Sequence, residues 1–202
     1  MRYFVIAAAL SLLAPAPLLA QAATLDVPAG EYVLDKTHAS VTWRVSHLGL
    51  SFYTARFTGF DSAITLDPAD VTKSSVVFTI DPNSVRTDFP FPEKEDFDKV
   101  IATQFLKGDK HPQVRFESTG LTATGANSGT LVGNLTLAGV TKPATFTVTL
   151  NGAKPHPMTK VPALGLSARG IIKRSDYGLT EMAGALGDEV EIWIETEYAA
   201  KQ

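Results

Sequence analysis

The sequence contains no cysteine. That absence excludes disulfides, zinc–thiolate sites, thiol catalysis and lipid attachment at a cysteine. Nor is there an excess of positive charge. Lys and Arg number 18 against 21 Asp and Glu, a formal net charge of −3, and the pI is about 5.8. Nucleic-acid binding calls for a basic patch, so no nucleic-acid partner is expected. The P-loop and the G-x-G-x-x-G fingerprint are also missing. The nearest string to a serine elbow, Gly165-Leu166-Ser167-Ala168-Arg169, fails at its last position. Long apolar runs are lacking too. The run Phe4 to Leu13 falls short of the ~20 residues a membrane-spanning helix requires.

That short run has another meaning. Arg2 precedes it, Pro15 and Pro17 end it, and Ala20-Gln21-Ala22 follows with the small-x-small pattern of a cleavage site. These are the parts of a secretory signal peptide over residues 1–22, with cleavage after Ala22 and delivery to the periplasm. The remainder, 23–202, has the length and the apolar content (45% overall) of one globular domain that needs no disulfide staples.

Within 23–202 the dominant pattern is alternation. Val41, Trp43 and Val45 alternate with Thr42, Arg44 and Ser46; Ala144, Phe146, Val148 and Leu150 alternate with three threonines; Val190, Ile192 and Ile194 alternate with Glu191 and Trp193. Val76 to Ile80 and Leu131 to Leu137 behave alike, and further strands are expected at Tyr53 to Leu66, Val114 to Leu121 and Leu164 to Lys173. Period two with β-branched and aromatic residues marks half-buried strands. Asp67-Pro68, Asp81-Pro82, Gly125 to Gly129, Gly139 and Asn151-Gly152 separate them. One segment differs. In Glu93 to Phe105 the apolar residues Phe97, Val100, Ile101 and Phe105 fall three and four apart, with Pro92 in front and Lys107-Gly108 behind. That is one amphipathic helix. About eight antiparallel strands and one helix make a mainly β fold, a closed barrel with its apolar face inward.

The strand faces and the helix side turned to the barrel nominate interior residues: Trp43, Val45, Phe57, Phe60, Phe78 and Ile80 from the first half of the chain, and Phe105 (on the helix), Phe116, Leu135 and Phe146 from the second. Gly133 and Ala144, also inward, leave room for a cavity. A solidly packed barrel is the alternative, because small barrels are often filled. No metal site is expected, since His38 and His47 lie near opposite ends of one strand and His111 and His156 sit before prolines in loops. No catalytic group is assigned.

The residues also spell a family. Tyr32 to Val41 reads YVLDKTHASV, followed by Val45-Ser46-His47-Leu48-Gly49 and then Thr79-Ile80-Asp81-Pro82-Asn83-Ser84-Val85-Arg86-Thr87. Phe116-Glu117-Ser118-Thr119, Gly133 to Pro143, Arg174-Ser175-Asp176-Tyr177-Gly178 and Gly187-Asp188-Glu189-Val190 complete the series. In order and spacing this resembles the YceI-like family from Tyr32 to Tyr198. Departures are Ala39 between His38 and Ser40, the Ala55-Arg56 pair where a glycine usually precedes Phe57, Asn134 for Asp, and Tyr177 for Phe. The resemblance implies a lipocalin-like antiparallel barrel with a helix over one end. It implies a periplasmic binding protein for a long amphiphilic lipid, a polyisoprenoid or isoprenoid quinone bound as ligand with no other cofactor. Transient membrane contact through Phe91 and Phe97, and a homodimer, are further expectations. The head group would meet His38, His47 or Arg174, although the first two can equally tie strand to loop and Arg174 can pin a turn with Asp176. Rival readings are an enzyme acting on such a lipid and a packed stress or assembly factor working through the surface around Trp193.

Overall fold

The computed structural model describes residues 24–202, so the expected export signal and its cleavage point lie outside the described residues. Ten strands follow one another: β1 (Gly30–His47), β2 (Ser51–Phe57), β3 (Phe60–Leu66), β4 (Ser75–Ile80), β5 (Val85–Arg86), β6 (Val114–Gly125), β7 (Ser128–Leu137), β8 (Val140–Pro155), β9 (Pro162–Lys173) and β10 (Leu186–Ala200). Eight of them close a ring in the order β10-β9-β8-β7-β6-β4-β3-β1, with β10 pairing back onto β1. Within this ring no edge is left, and the apolar faces turn inward. The expected antiparallel eight-stranded barrel is the fold.

Tyr53 to Leu66, expected as one strand, is two. The chain kinks at Thr58-Gly59, where the Thr58 N–H donates to the Ser84 carbonyl at 3.1 Å. β2 then pairs with Val41–His47, and β3 with Gly30–Val33. The cause is a bulge in β1. Asp35 pairs with Glu197 and Ser40 with Glu195, so Lys36, Thr37, His38 and Ala39 stand opposite Thr196 alone. Asp35 Oδ1 builds the bulge by accepting from the Thr37 N–H at 2.9 Å and its hydroxyl at 2.6 Å. This is an Asx-turn inserted into a strand. It changes which residues face inward, from Tyr32 and Leu34 before the bulge to Val41, Trp43 and Val45 after it.

The helix is shorter than the spacing predicted. Phe91 to Glu95 forms its own turn, with the Lys94 N–H on the Phe91 carbonyl at 2.9 Å. Asp96 then leaves helical geometry and caps the next segment, accepting from the Lys99 N–H at 3.1 Å. Helix α1 (Phe97–Val100) therefore starts at the aspartate cap rather than after Pro92. It runs on into a wide π-type turn, Ile101–Phe105. β5 is two residues long and ends that side of the sheet. The helical segment covers the sheet there, with Ile101 and Ala102 buried against Ala55 of β2 and Val85 of β5. The Thr87 N–H and hydroxyl both donate to Asp98 Oδ1, at 2.7 and 2.6 Å. Asn83 Nδ2 donates to the Gly108 carbonyl at 3.2 Å. The segment Asp81 to Thr87 is thus the clamp that holds the helix to the barrel.

Glycines opposite aromatics complete the packing. A Cβ on Gly133 would lie 2.4 Å from the Phe116 ring, and one on Gly170 would lie 2.6 Å from Phe146. The two rings meet edge-on at 5.3 Å. The space at Gly133 is therefore filled by Phe116, and Ala144 is buried in the same cluster. Neither contributes the cavity room expected of it.

Candidate functional site: a long apolar cavity

The barrel is not packed solid. A cavity of about 680 Å³ runs along its interior, within the size range of small-molecule and lipid pockets. The packed-barrel alternative is overturned by this space. Of the residues nominated by alternation, Trp43, Val45, Phe57, Phe78 and Ile80 lie on the wall, as do Phe105, Phe116, Leu135 and Phe146. Phe60 does not. It stacks on Phe78, with ring centroids 6.0 Å apart, and packs between two core clusters. It shares the inward face of β3 with Ile64 and Leu66.

The nominations also missed residues. Val190, Ile192 and Ile194 of β10, Tyr53 of β2 and Leu131 and Val148 across β7 and β8 line the cavity. Period two already put β10's apolar residues on one face. What it could not supply was the pairing of Trp43 with Ile192 and Val45 with Val190, which brings both strands to the same wall.

The two ends of the cavity differ in chemistry. At the end where β1 begins, the lining includes Ser74, Asn127 and Ser128. At the end where β1 finishes, it includes His47, Arg174 and Met182. Arg174 follows β9 directly, at the head of a single turn that ends in Gly178, φ 68°. That turn is held by Asp188, whose two carboxylate oxygens each accept from Ser175, the N–H and the hydroxyl, both at 2.8 Å. These bonds keep the Asp188 carboxyl below its ordinary range. Tyr177 anchors the turn in the core. No Arg174–Asp176 pair forms among the described residues; Ser175 and Asp188 do the pinning instead. Arg174 is left to donate through Nη2 to the Glu181 carbonyl at 2.8 Å, while its Nε is buried without a partner. Burial lowers its pKa, against the opposing pull of Asp188 and Glu181.

His38 is elsewhere. It sits on the β1 bulge, exposed, with Nδ1 2.8 Å from Asp35 Oδ2. The bulge turns it outward, so it cannot reach a ligand inside the barrel. The hydrogen bond to Asp35 raises the His38 pKa. Bonds from Thr37 and then His38 hold the Asp35 carboxyl at about 2. Glu197 approaches the same spot, and one ligand atom from each of Asp35, His38 and Glu197 lies within 4.8 Å of the others. The remaining histidines serve loops: His111 packs against Gly139, and His156 Nδ1 accepts from the Met158 and Thr159 N–H groups.

Outside the barrel, Trp193 packs with Arg44. The Arg44 guanidinium lies 4.7 Å from the Trp193 ring and 4.3 Å from the exposed Phe52 ring, and donates to both Glu191 oxygens at 3.1 and 2.8 Å. This cation–π stack explains an aromatic on the outer face. Near the charged end, the hairpin tip carries Leu48 (57% exposed) and Leu50 (84%), and its Leu48 N–H bonds the Ala185 carbonyl at 2.7 Å. Met182 is exposed on that adjoining loop. Phe91 is also exposed and meets Phe89 edge-on, while Phe97 is half-buried on the cavity wall.

Comparison with known proteins agrees with the fold and its motifs. A family model described as the YceI-like domain matches residues 32–198. A UPF0312 protein of Serratia proteamaculans is 37% identical over 190 residues, covering 93% of this chain and 94% of its own. Among solved structures, Burkholderia cenocepacia BcnA superposes with a TM-score of 0.70 at 20% identity, over 81% of this chain and 98% of its own. A polyisoprenoid binding domain from Saccharophagus degradans, implicated in plant cell wall breakdown, gives 0.60 at 16% identity, over 84% and 98%. The matched span takes in the segments that build the β1 bulge, clamp the helix and hold the Arg174 turn, and the chain belongs to the YceI-like family.

Proposed function

We propose that the protein is a periplasmic carrier that holds the tail of a long isoprenoid lipid, a polyisoprenoid or an isoprenoid quinone, inside its barrel. The observation that carries this reading is the long cavity with its almost wholly apolar wall. Each CH₂ moved from water into such a wall contributes about 0.8 kcal/mol, so a prenyl chain binds with few polar contacts. The polyisoprenoid-binding domain with the same fold supports the choice of ligand. The signal-like residues 1–22 support export. The action is sequestration, with no bond made or broken. Loading takes place by transient contact with a membrane through the apolar residues Leu48, Leu50 and Met182, which flank the charged end of the cavity.

The test is native mass spectrometry of protein purified from periplasm without detergent, followed by organic extraction. A stoichiometric adduct that extracts as a prenyl lipid is the expected result. A bare protein that also takes up neither added quinones nor prenyl phosphates overturns the proposal.

A further inference from the structure

At the end where β1 begins, the segment ahead of the barrel supplies part of the cavity wall. Residues 24–29 run from the start of β1 to the loop after β3, where the Leu25 N–H donates to the Pro68 carbonyl at 3.0 Å. Two further contacts hold this strap. Val27 is buried in the cluster of Tyr32, Ile64, Leu66, Leu164 and Tyr198. The Pro28 carbonyl accepts from the Tyr32 hydroxyl at 2.8 Å. Leu25 itself is half-buried. It packs against the same cluster and also faces the cavity, together with Val71, Ser74 and Asn127 of the neighbouring turns.

Most of the wall is made of strands locked by a closed ladder of backbone hydrogen bonds. Leu25 stands outside that ladder. Its place depends on one backbone hydrogen bond and on the burial of Val27 two residues on. A change of side chain at Leu25 therefore alters the length of the cavity without touching the barrel. In the carrier reading the lipid enters past Leu48 and Met182, so the tip of its tail arrives at Leu25. A tail gains affinity with each added prenyl unit only while that unit finds apolar wall. Once the tip meets Leu25, a further unit must stay in water or push the strap aside. Pushing it aside exposes Leu25 and Val27 and takes the acceptor from the buried Tyr32 hydroxyl. The volume fixes where this happens. At about 30 Å³ per heavy atom the cavity admits on the order of twenty such atoms, about four prenyl units.

We propose that Leu25 is the stop that sets the longest tail the cavity holds, at about four prenyl units. The inference rests on the carrier reading and adds a length selection to it.

The experiment is a length ladder. Prenols of about two to six units are delivered from cyclodextrin to lipid-stripped protein, each in competition with the four-unit geranylgeraniol, and occupancy is read by native mass spectrometry. Affinity is expected to rise by at least roughly tenfold per unit up to the fourth and then to level off or fall. Leu25→Ala lengthens the cavity and is expected to move the break about one unit longer. Leu25→Trp shortens it and is expected to move the break about one unit shorter. Simple destabilisation weakens every length together and leaves the break where it was. Affinity that climbs steadily to the sixth unit overturns the stop and leaves the carrier reading standing. A break that stays at one length in both variants overturns the assignment to Leu25. Failure of every prenol to bind the unaltered protein overturns the carrier reading itself. The unaltered protein's own break decides whether a stop exists even if Leu25→Trp does not fold.

Discussion

Where β1 begins, polar atoms are matched within the protein. The Tyr198 hydroxyl donates to Ser62 Oγ at 2.9 Å, and Ser62 in turn donates to the Val77 carbonyl at 2.9 Å. Tyr32 reaches the Pro28 carbonyl at 2.8 Å, and both tyrosines are buried among Leu34, Ile64 and Leu164. Where β1 ends, matching stops. The buried side-chain nitrogens left without a partner among the described residues are those of Trp43, Arg44 and Arg174, all toward this end. Exposed apolar residues gather there too, at Leu48, Leu50, Phe52 and Met182. A satisfied polar network fixes one packing, whereas unmatched donors and bare apolar surface destabilise a free protein and favour one with something bound. One end is matched within the protein, and the other presents unpaired donors and apolar surface.

The contrast can be broken most forcefully at the end where β1 begins. Tyr198→Ala removes a buried ring and its hydrogen bond, and should lower unfolding free energy by roughly 3–5 kcal/mol in urea melts. The affinity ratio between prenyl phosphate and prenol should stay put; a change in that ratio would show that the two ends are not independent. At the end where β1 finishes, the carrier reading predicts the same scale of change in binding. Val190→Trp projects an indole into the cavity opposite Val45. Lipid occupancy in native mass spectra should fall by about tenfold, with a stability cost of no more than ~1–3 kcal/mol. Tyr198→Phe sharpens the comparison, because it keeps the ring and deletes one neutral hydrogen bond. Its expected cost is about 1 kcal/mol, read as a shift of the urea midpoint at unchanged slope.

The smallest effect belongs to the exposed β1 bulge. Asp35 titrates at about 2 in the folded protein against an ordinary 3.8. Its stabilising contribution is present above pH 3.8 and is lost as pH falls toward 2. His38 has a raised pKa, so its share is complete below pH 6.5 and is lost as pH rises through the higher folded value. Urea midpoints should therefore show a small maximum between these limits. Asp35→Asn should flatten it, and an unchanged profile would mean the bulge is held by Thr37 alone.

Much of the cavity wall was legible because alternation is local. Trp43, Val45, Phe78 and Phe146 each lie in a run where period two alone names the buried face. Phe60 shares the inward face of Ile64 and Leu66, but it stacks on Phe78 within the core instead of reaching the cavity, a contact that alternation does not reveal. His38 was misplaced because three extra residues in β1 turn it outward. Gly133 reads as free space in the sequence, but its neighbour across the ladder brings in Phe116 to occupy it. The helix boundary moved because Asp96 is a better cap than Pro92 is a start.

The sequence by itself determined the class of fold, the apolar interior and the family, since these follow from side-chain periodicity and from motifs contiguous in the chain. It also carried the absences that exclude thiol chemistry and a basic nucleic-acid surface. Only the tertiary structure decided that space is left inside, because a cavity is the difference between the barrel's radius and the side chains that its strands bring to it. Only the structure, too, decided what Arg174 does. Its charge lies on the cavity wall because Ser175 and Asp188, thirteen residues apart, close the turn that holds it there.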